Sequence, residues 1–305
     1  MSLGTVASVE RDLLLVLYQH RLATTLQLQR LVTPHTPNRQ YVWRVLDRLR
    51  RNGLADRVTG RADQPYTWYL TTPGVHAVEQ DDVIVARPYR MNRRKALGPL
   101  QRHVLAVTEV GTLFFEDARR RGDSFGPLSW TPEIAHRFQQ GEGDTHVISD
   151  ALMHYTRVHP SGARTQIQSF LELDRASMPV HRLASKLVSY ARYYDYRPMP
   201  QVPGKRRSPA TLRAGVPAWS KRYPRFPRVL VVLDGVRPEL QDARRADLAA
   251  YVEHIPYLVE PRSGFMIGCC TMHELSTHGP NAAIWTNLLT TDAAVTDFRL
   301  KPSHA

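Results

Sequence analysis

The strongest constraint on the fold is a change of hydrophobic periodicity near residue 53. Before it, residues 38–52 (NRQYVWRVLDRLRRN) carry apolar side chains at the spacing of one buried helix face, at Val42, Val45, Leu46 and Leu49. After it, the segment YTWYL alternates between apolar and polar positions, as a strand with one buried face does. Gly53 lies between the two patterns and is typical of a helix end. A helix must therefore be followed directly by short strands.

Two more helices precede this one, and another follows the strands. Residues 10–19 (ERDLLLVLYQ) have an amphipathic pattern, and either Thr24 or Thr25 is a suitable N-cap for the helix LQLQRLV. The segments LADRV and YTWYL predict a hairpin, and a last helix begins at about Thr72. Three helices and a two-stranded wing predict a winged helix-turn-helix domain over residues 1–80.

The third helix carries most of the residues that we expect to contact DNA. In a helix-turn-helix, the N-terminal part of the recognition helix lies in the major groove, where Asn and Gln pair with adenine and Arg pairs with guanine. The outward residues of this helix and two wing arginines form the predicted DNA-binding set: Asn38, Arg39, Gln40, Trp43, Arg44, Arg48, Arg57 and Arg61. The alternative is a winged helix that binds only protein and has a solvated basic face.

The charge of the chain favours a polyanionic partner. Its 305 residues include 41 Lys and Arg against 28 Asp and Glu, a formal charge of +13, and nucleic acid is the usual partner of so basic a chain. The two cysteines, Cys269 and Cys270, exclude a disulfide framework and a cysteine-based zinc site, and they fit a reducing compartment. No apolar run is long enough to cross a membrane. The sequence therefore predicts a cytoplasmic protein that does not bind membranes.

The chain beyond residue 80 predicts a linker and a second domain. Residues 81–101 are basic and read as the linker, and residues 102–305 form the second domain. Its patterns follow in the order helix 103–119, strands 128–135, 147–156 and 166–173, helix 180–196, strand 228–233, helix 238–254 and strand 265–271. This order predicts an α/β (α+β) fold with a mixed sheet flanked by helices.

Carboxylates occur on two of these predicted strands. Asp150 lies in ISDALMHY, and Glu172 and Asp174 lie in SFLELD, at a spacing that suits two strands joined by a short turn. Carboxylates beside apolar strand residues are costly unless they are paired or bind a cation. We therefore predict Asp150 and Glu172 as ligands of Mg²⁺ or Mn²⁺, and Asp150, Glu172, Asp174 and Lys186 as the catalytic set, with the lysine polarising a phosphate. In the alternative, the acids end a turn or pair with nearby arginines, and Lys186 is a surface lysine.

A basic, Pro-rich insertion spans about 201–228. It contains eight Lys and Arg residues and no acid, and its predicted DNA contacts are Lys205, Arg206 and Arg207. Trp219, Tyr223 and Phe226 lie among these charges, and such a combination can follow a single-stranded backbone and stack on its bases. The alternative is a solvated loop.

These segments resemble the replication-relaxation family of actinobacterial plasmids and integrative elements. The similar stretches are LATTLQLQRLV, VWRVLDRLRRNGLADR, WYLTTPG, ISDALMHY and FLELDRASMPVHRLASKLVSYARYY, which extend over most of the chain to about residue 200. The resemblance implies a DNA-binding role in plasmid replication, DNA relaxation or mobilisation. It also implies a PD-(D/E)XK nuclease-like second domain, in which Asp150 is the first strand acid and Glu172 is the acid of the triplet.

The sequence departs from that nuclease pattern at the triplet. Asp174 occupies the lysine position, so Lys186 would have to replace that lysine from the following helix. Ser149 stands where the pattern has proline, and the first-helix acid would be Glu109, or alternatively Glu133 from the first strand. Metal-dependent nicking and a nuclease-like fold kept only for binding both stay open. The competing hypothesis is a non-enzymatic winged-helix transcriptional regulator whose second domain forms a homodimer or binds a partner protein.

Overall fold

Residues 1–132 and 133–305 form two separate units. The computed structural model describes residues 8–59, 65–81, 84, 86–140, 143–198, 215–235, 237–290 and 295–300. No helix within these ranges is long and apolar enough to cross a membrane.

The first unit is mainly helical. Its elements are α1 (Ser8–His20), β1 (Ala23–Thr24), α2 (Thr25–Val32), α3 (Arg39–Arg51), β2 (Ala55–Val58), β3 (Thr67–Leu70), α4 (Thr72–Glu79), α5 (Arg93–Ala96) and α6 (Gln101–Arg121). The three short strands form one antiparallel sheet in the order β1-β3-β2.

Local capping explains where these helices begin and end. Thr24 and Gln27 form a capping box at the start of α2, and the Asn38 side chain accepts a hydrogen bond from the Gln40 backbone N–H at the start of α3. After α3 the chain turns at Gly53, whose φ of 71° is favourable only for glycine. Gly74 in α4 lies so close to the Leu54 carbonyl that no β-carbon would fit. The predicted helix–strand succession in this region is confirmed.

The segment that the sequence marks as a linker packs onto the first unit. Met91 and Ala96 are buried in one cluster with Leu22, Val58 and Tyr69. Helix α6, expected at the start of the second domain, lies in the first unit, since the unit boundary falls at residue 132. The physical reason is that α6 supplies partners for α2, as its contacts with Arg30 show.

Arg30 lies between two carboxylates of α6. Its guanidinium pairs with Glu109 at 2.5 Å and with Glu116 at 2.7 Å. These two acids raise the pKa of Arg30, although burial opposes the shift. Glu109, one of the two acids offered for a nuclease-like site, is therefore engaged in packing α6 against α2.

The second unit is built on a seven-stranded mixed sheet in the order β10-β9-β8-β7-β6-β5-β4. Its elements are β4 (Trp130–Gln140), β5 (Gly143–Val158), β6 (Arg164–Asp174), α7 (Val180–Asp195), β7 (Arg228–Leu233), α8 (Pro238–Glu253), α9 (Pro256–Val259), β8 (Ile267–Thr271), α10 (Met272–His278), β9 (Trp285–Asn287) and β10 (Val295–Thr296). Strands β6, β7 and β8 are parallel, whereas β5 runs antiparallel to β6. The mixed sheet flanked by helices is thus confirmed, and β9, β10, α9 and α10 were not predicted.

The core of this unit lies between the sheet and α7, α8 and α9. Strand β7 is almost entirely buried, and Val229, Val231 and Leu233 alternate toward these helices. Tyr223 and Phe226 belong to the same core and are each about 5% exposed. Neither hypothesis for these two aromatics, base stacking or a solvated loop, is correct. A Pro-rich stretch has no periodicity from which their burial could be predicted.

Candidate functional site

Helix α3 presents a basic outer face opposite its buried stripe. Val42, Val45, Leu46 and Leu49 face the unit interior. Arg39, Gln40 and Arg44 are exposed, and Trp43 is 39% exposed. Arg39 and Arg44 form no ion pair with any described residue. We call Arg39, Gln40, Trp43 and Arg44 the reading face, since their polar groups are available to an external partner.

The cap residue Asn38 and the remaining arginines of α3 are already engaged within the unit, and of these Asn38 and Arg48 were predicted DNA contacts. The Asn38 side-chain oxygen accepts a hydrogen bond from the Gln40 backbone N–H at 2.8 Å, so this oxygen caps the helix. Arg48 pairs with Glu10 of α1. Arg50 and Arg51 both pair with Asp47, at 3.1 and 3.3 Å. Within the described part of α3, the unpaired positive charge is therefore concentrated at its N-terminal half.

Arg57 of the wing lies among aromatic rings. Its guanidinium carbon is 3.9 Å from the Tyr66 ring centroid, 5.8 Å from that of Trp43 and 5.5 Å from that of Trp68. Cation–π contacts of this kind hold the strand β2 against α3 and β3. One guanidinium nitrogen of Arg57 is buried. Arg61, Lys205, Arg206 and Arg207 lie outside the described residues.

In the second unit, Asp150, Glu172 and Lys186 come together on one face of the sheet, and Tyr190 joins them. We call these four residues the acidic cluster. Lys186 and Tyr190 both donate hydrogen bonds to the Glu172 carboxylate, one to each oxygen. Asp150 is near enough for its charge to raise the pKa of Glu172. Its own carboxylate accepts a hydrogen bond from the Leu173 backbone N–H at 2.8 Å.

Asp150 shares this face with Leu152, two residues later, and a local irregularity in β5 precedes it. Val147 and Leu152 both belong to the core beneath α7, although residues an odd number apart normally point to opposite faces of a strand. The regular pairing of β5 with β6 begins only at Ala151 and Leu171. Where the regular pairing stops, the Asp150 carboxylate accepts a hydrogen bond from the Leu173 backbone N–H, and a bulge between residues 147 and 152 accounts for Val147 lying on the same side as Leu152.

The burial of Glu172 dominates its electrostatics. The residue is 2% exposed, and burial together with the Asp150 charge raises its pKa to about 8, despite the opposing influence of Lys186. Burial alone would lower the pKa of Lys186, but the negative charges of Glu172 and Asp150 outweigh it and raise that pKa. The pKa of Tyr190 is raised by burial and by Glu172. Its hydroxyl therefore stays protonated and donates to the carboxylate.

Asp174 lies apart from this cluster in its bonding, although it is on the same strand. It pairs with Arg244 of α8, and its side chain is 4% exposed. Arg244 also donates to the Met178 carbonyl at 2.6 Å. The pair thus joins β6 to α8 and to the loop before α7. Since Asp174 stands in the lysine position of the nuclease pattern, Arg244 neutralises the charge that this departure introduces.

The acidic cluster as arranged does not make a complete metal site. No group of three or more His, Cys, Asp or Glu in the described part of the chain could hold a metal ion. Both oxygens of Glu172 are occupied by Lys186 and Tyr190. A cation could reach Glu172 only if one of these donors moved away, and further oxygen ligands would have to come from water or substrate.

Tyr190 and Arg244 are the two residues of this region that the sequence argument missed. Tyr190 is four residues after Lys186 and therefore lies on the same side of α7, a signal that could have been used. Arg244 is 70 residues from Asp174, and nothing in the local sequence indicates that contact.

A family model described as replication-relaxation matches residues 14–202, which is more than half of the chain. The matched range contains α3 and all four residues of the acidic cluster. A search of the curated proteins and a search of the solved structures each gave no match. The family implies a role in plasmid replication or relaxation and interaction with DNA. This chain belongs to the replication-relaxation family.

Proposed function

We propose that the first unit is a winged helix-turn-helix that binds double-stranded DNA, and that the protein acts in plasmid replication, DNA relaxation or mobilisation. The observation that carries this proposal is the reading face of α3, where Arg39 and Arg44 are exposed and unpaired among the described residues. Helices α2 and α3 with the turn between them form the helix-turn-helix, and β2 and β3 form the wing.

The geometry suits base recognition at the start of α3. In a helix-turn-helix the N-terminal residues of the recognition helix contact base edges. Arg39 and Gln40 are in the first turn, and Arg44 lies four residues after Gln40 on the same side. Arginine binds guanine through two hydrogen bonds, and glutamine binds adenine in the same way. Trp43 adds an apolar contact surface beside these donors.

A sequence preference measured on duplex DNA tests this proposal. The wild-type protein is used to select a preferred duplex from a random pool, and the Arg39→Ala and Arg44→Ala variants are then titrated on it. Each variant should lose about 1–3 kcal/mol on the selected duplex and show a relaxed preference at one position. The exposed Arg182→Ala variant in α7 is the matched control and should bind as the wild type does. Equal preference in all four proteins would contradict the assignment of α3.

Metal-dependent nicking by a nuclease-like second domain is a second candidate function. The convergence of Asp150, Glu172 and Lys186 favours it. The order of elements also supports a PD-(D/E)XK-like fold, since β4, β5 and β6 are consecutive neighbours and β7 returns parallel to β6 after α7. Against it stand the closed arrangement around Glu172 and the acid at position 174.

Nicking is tested with supercoiled plasmid and Mg²⁺ or Mn²⁺, together with thermal melting. If Asp150 and Glu172 hold a cation, the metal should raise the melting temperature of the wild type, and Asp150→Asn should abolish that rise. Open circular DNA should form with the wild type and not with Asp150→Asn or Glu172→Gln. The exposed Glu239→Gln variant in α8 serves as the charge-matched control. If the metal does not raise the melting temperature of the wild type and no open circular DNA forms, the nicking hypothesis is contradicted. The second unit would then serve dimerisation or partner binding, as in a transcriptional regulator.

A further inference from the structure

A basic pocket lies in the second unit at the end of the sheet remote from the acidic cluster. Strand β6 begins at Arg164, but its pairing with β7 begins only at Ser169 and Arg228. Among the described residues, no strand pairs with positions 164–168 on that side. The segment from Pro224 to Arg228 passes there and encloses a pocket of about 350 Å³.

Four arginines line this pocket, from four different parts of the unit. Arg157 comes from β5, Arg225 from the segment before β7, Arg228 from β7 itself, and Arg299 from the segment after β10. Gln166 and Gln168 of β6 add neutral polar groups. The pocket is therefore rich in hydrogen-bond donors that converge from separate elements.

Two of these arginines have no counter-charge in the described part of the chain. Arg157 is half-buried and Arg225 is exposed, and neither forms an ion pair or a side-chain hydrogen bond with any described residue. Arg299 pairs with Asp297 at 2.8 Å, and Arg228 donates to the Arg299 carbonyl at 2.6 Å. Positive charge in the pocket thus exceeds what the neighbouring acid neutralises.

The crowding of these cations has an electrostatic cost. Burial lowers the pKa of Arg228, and the nearby positive charge of Arg225 lowers it further, although Asp297 opposes the shift. An anion in the pocket would relieve that repulsion and accept hydrogen bonds from Arg157 and Arg225, whose guanidinium groups bond to none of the described residues. The volume lies at the small end of the range of roughly 300–1,000 Å³ for small-ligand sites, enough for a phosphate with an attached sugar.

We propose that this pocket binds a phosphate group of a nucleotide. Arginine is suited to phosphate because its planar guanidinium donates two parallel hydrogen bonds to two oxygens. Arg157 and Arg225 hold the phosphate oxygens, and Arg228 contributes charge from the floor of the pocket. The same chemistry fits a phosphate within or at the end of a nucleic-acid strand and a free nucleotide. The possibility that the phosphate belongs to a nucleic-acid strand rests on the proposed DNA-binding function. The phosphate site itself does not depend on that function.

The test measures binding to the full chain by isothermal titration in chloride buffer. The probes are pyrophosphate, a nucleoside 5′-monophosphate, and a trinucleotide with or without a 5′-phosphate. The pocket variants are Arg157→Gln and Arg225→Gln. Each removes one charge-assisted donor pair, which amounts to roughly a tenfold loss of affinity or more. Since neither arginine has a partner among the described residues, both variants should keep the wild-type melting temperature.

Two controls separate the pocket from the reading face. Arg182→Gln removes an arginine of the same unit that is exposed, as Arg225 is, and has no side-chain partner among the described residues, and it should leave phosphate binding unchanged. The Arg39→Ala/Arg44→Ala double variant should bind the phosphate probes as the wild type does, whether or not it still binds duplex DNA. If α3 proves not to bind DNA, the result for the phosphate pocket is therefore unaffected.

The phosphate site is supported if both pocket variants lose tenfold or more of their affinity for the phosphate probes while Arg182→Gln binds them as the wild type does. Tighter binding of the 5′-phosphorylated trinucleotide than of the monophosphate identifies a strand as the source, and equal binding identifies a free nucleotide. Wild-type protein that binds none of the probes at millimolar concentration, or pocket variants that bind as tightly as the wild type, would overturn the proposal.

Discussion

At the scale of single residues, the acidic cluster links stability to pH. Glu172 is nearly inaccessible to water, and its pKa is raised to about 8 from an ordinary value of 4.5. The folded state therefore binds a proton at pH values where the unfolded chain has released it. By linkage, the free energy of unfolding falls as the pH rises between these two values. Two buried histidines, His20 and His136, act in the opposite sense at lower pH.

The histidines contribute to the pH dependence near the window in which Glu172 is measured. Burial lowers the pKa of each to about 4 from 6.5. A depressed histidine pKa costs stability as the pH falls from about 6.5 toward 4, because the unfolded chain then binds more protons. This contribution levels off about one pH unit above 6.5, because half of the histidines in the unfolded chain are still protonated at pH 6.5. The difference between the wild type and a Glu172→Gln variant, which carry the same histidines, therefore isolates the carboxyl group between pH 6.5 and 8.

Between pH 6.5 and 8, we expect the free energy of unfolding of the wild type in urea to fall by up to about 2 kcal/mol relative to that of Glu172→Gln. Glu172→Gln removes the titrating group and should flatten this dependence. The matched control Glu239→Gln changes an exposed acid on α8 and should keep the wild-type slope. A Glu172→Gln variant with an unchanged slope would show that Glu172 titrates near its ordinary pKa.

At the scale of helices and strands, local signals predicted what local interactions determine. The α3 stripe, the Thr24 cap and the strands β2 and β3 all depend on neighbours within a few residues, and all are observed. The spacing of Asp150 and Glu172 correctly placed them on adjacent strands. It could not predict the bulge that puts Val147 on the same side as Leu152, because regular alternation gives no sign of an added residue.

The packing partner of a helix is not a local property, and α6 illustrates this. Its pattern predicts an amphipathic helix but not the element on which it packs. In the structure the Thr108 hydroxyl donates to the Leu22 carbonyl at 3.1 Å, and the Gln27 amide donates to the Leu105 carbonyl at 3.0 Å. These contacts, with the Arg30 ion pairs, make α6 part of the first unit.

Truncation tests this assignment of α6. The fragment 1–132 should fold and melt cooperatively, whereas the fragment 1–101 should not, because it leaves Arg30 and Gln27 without their partners and exposes the apolar surface that α6 covers. Circular dichroism at 222 nm during heating distinguishes the two. A fragment 1–101 that melts at the temperature of 1–132 would contradict the structural role of α6 and favour the linker that the sequence suggests.

At the scale of the whole molecule, some of the positive charge is paired with acids and some is not. Much of it is neutralised inside each unit, as at Arg30, Arg48 and Arg244. What stays unpaired among the described residues includes the reading face and the pocket at Arg157 and Arg225. Net charge predicted a polyanionic partner but could not locate its site, since pairing depends on which acids lie nearby in the fold. The excess at α3 is the basis for the DNA-binding proposal.

The most direct test of that proposal compares the wild type with the Arg39→Ala/Arg44→Ala double variant in fluorescence anisotropy on one duplex at one salt concentration. The two exposed arginines have no partner among the described residues, so their loss should leave the circular dichroism spectrum and melting temperature unchanged. The account predicts that the dissociation constant for the selected duplex rises by at least tenfold, about 1.4 kcal/mol or more. An unchanged dissociation constant in a correctly folded double variant would contradict it.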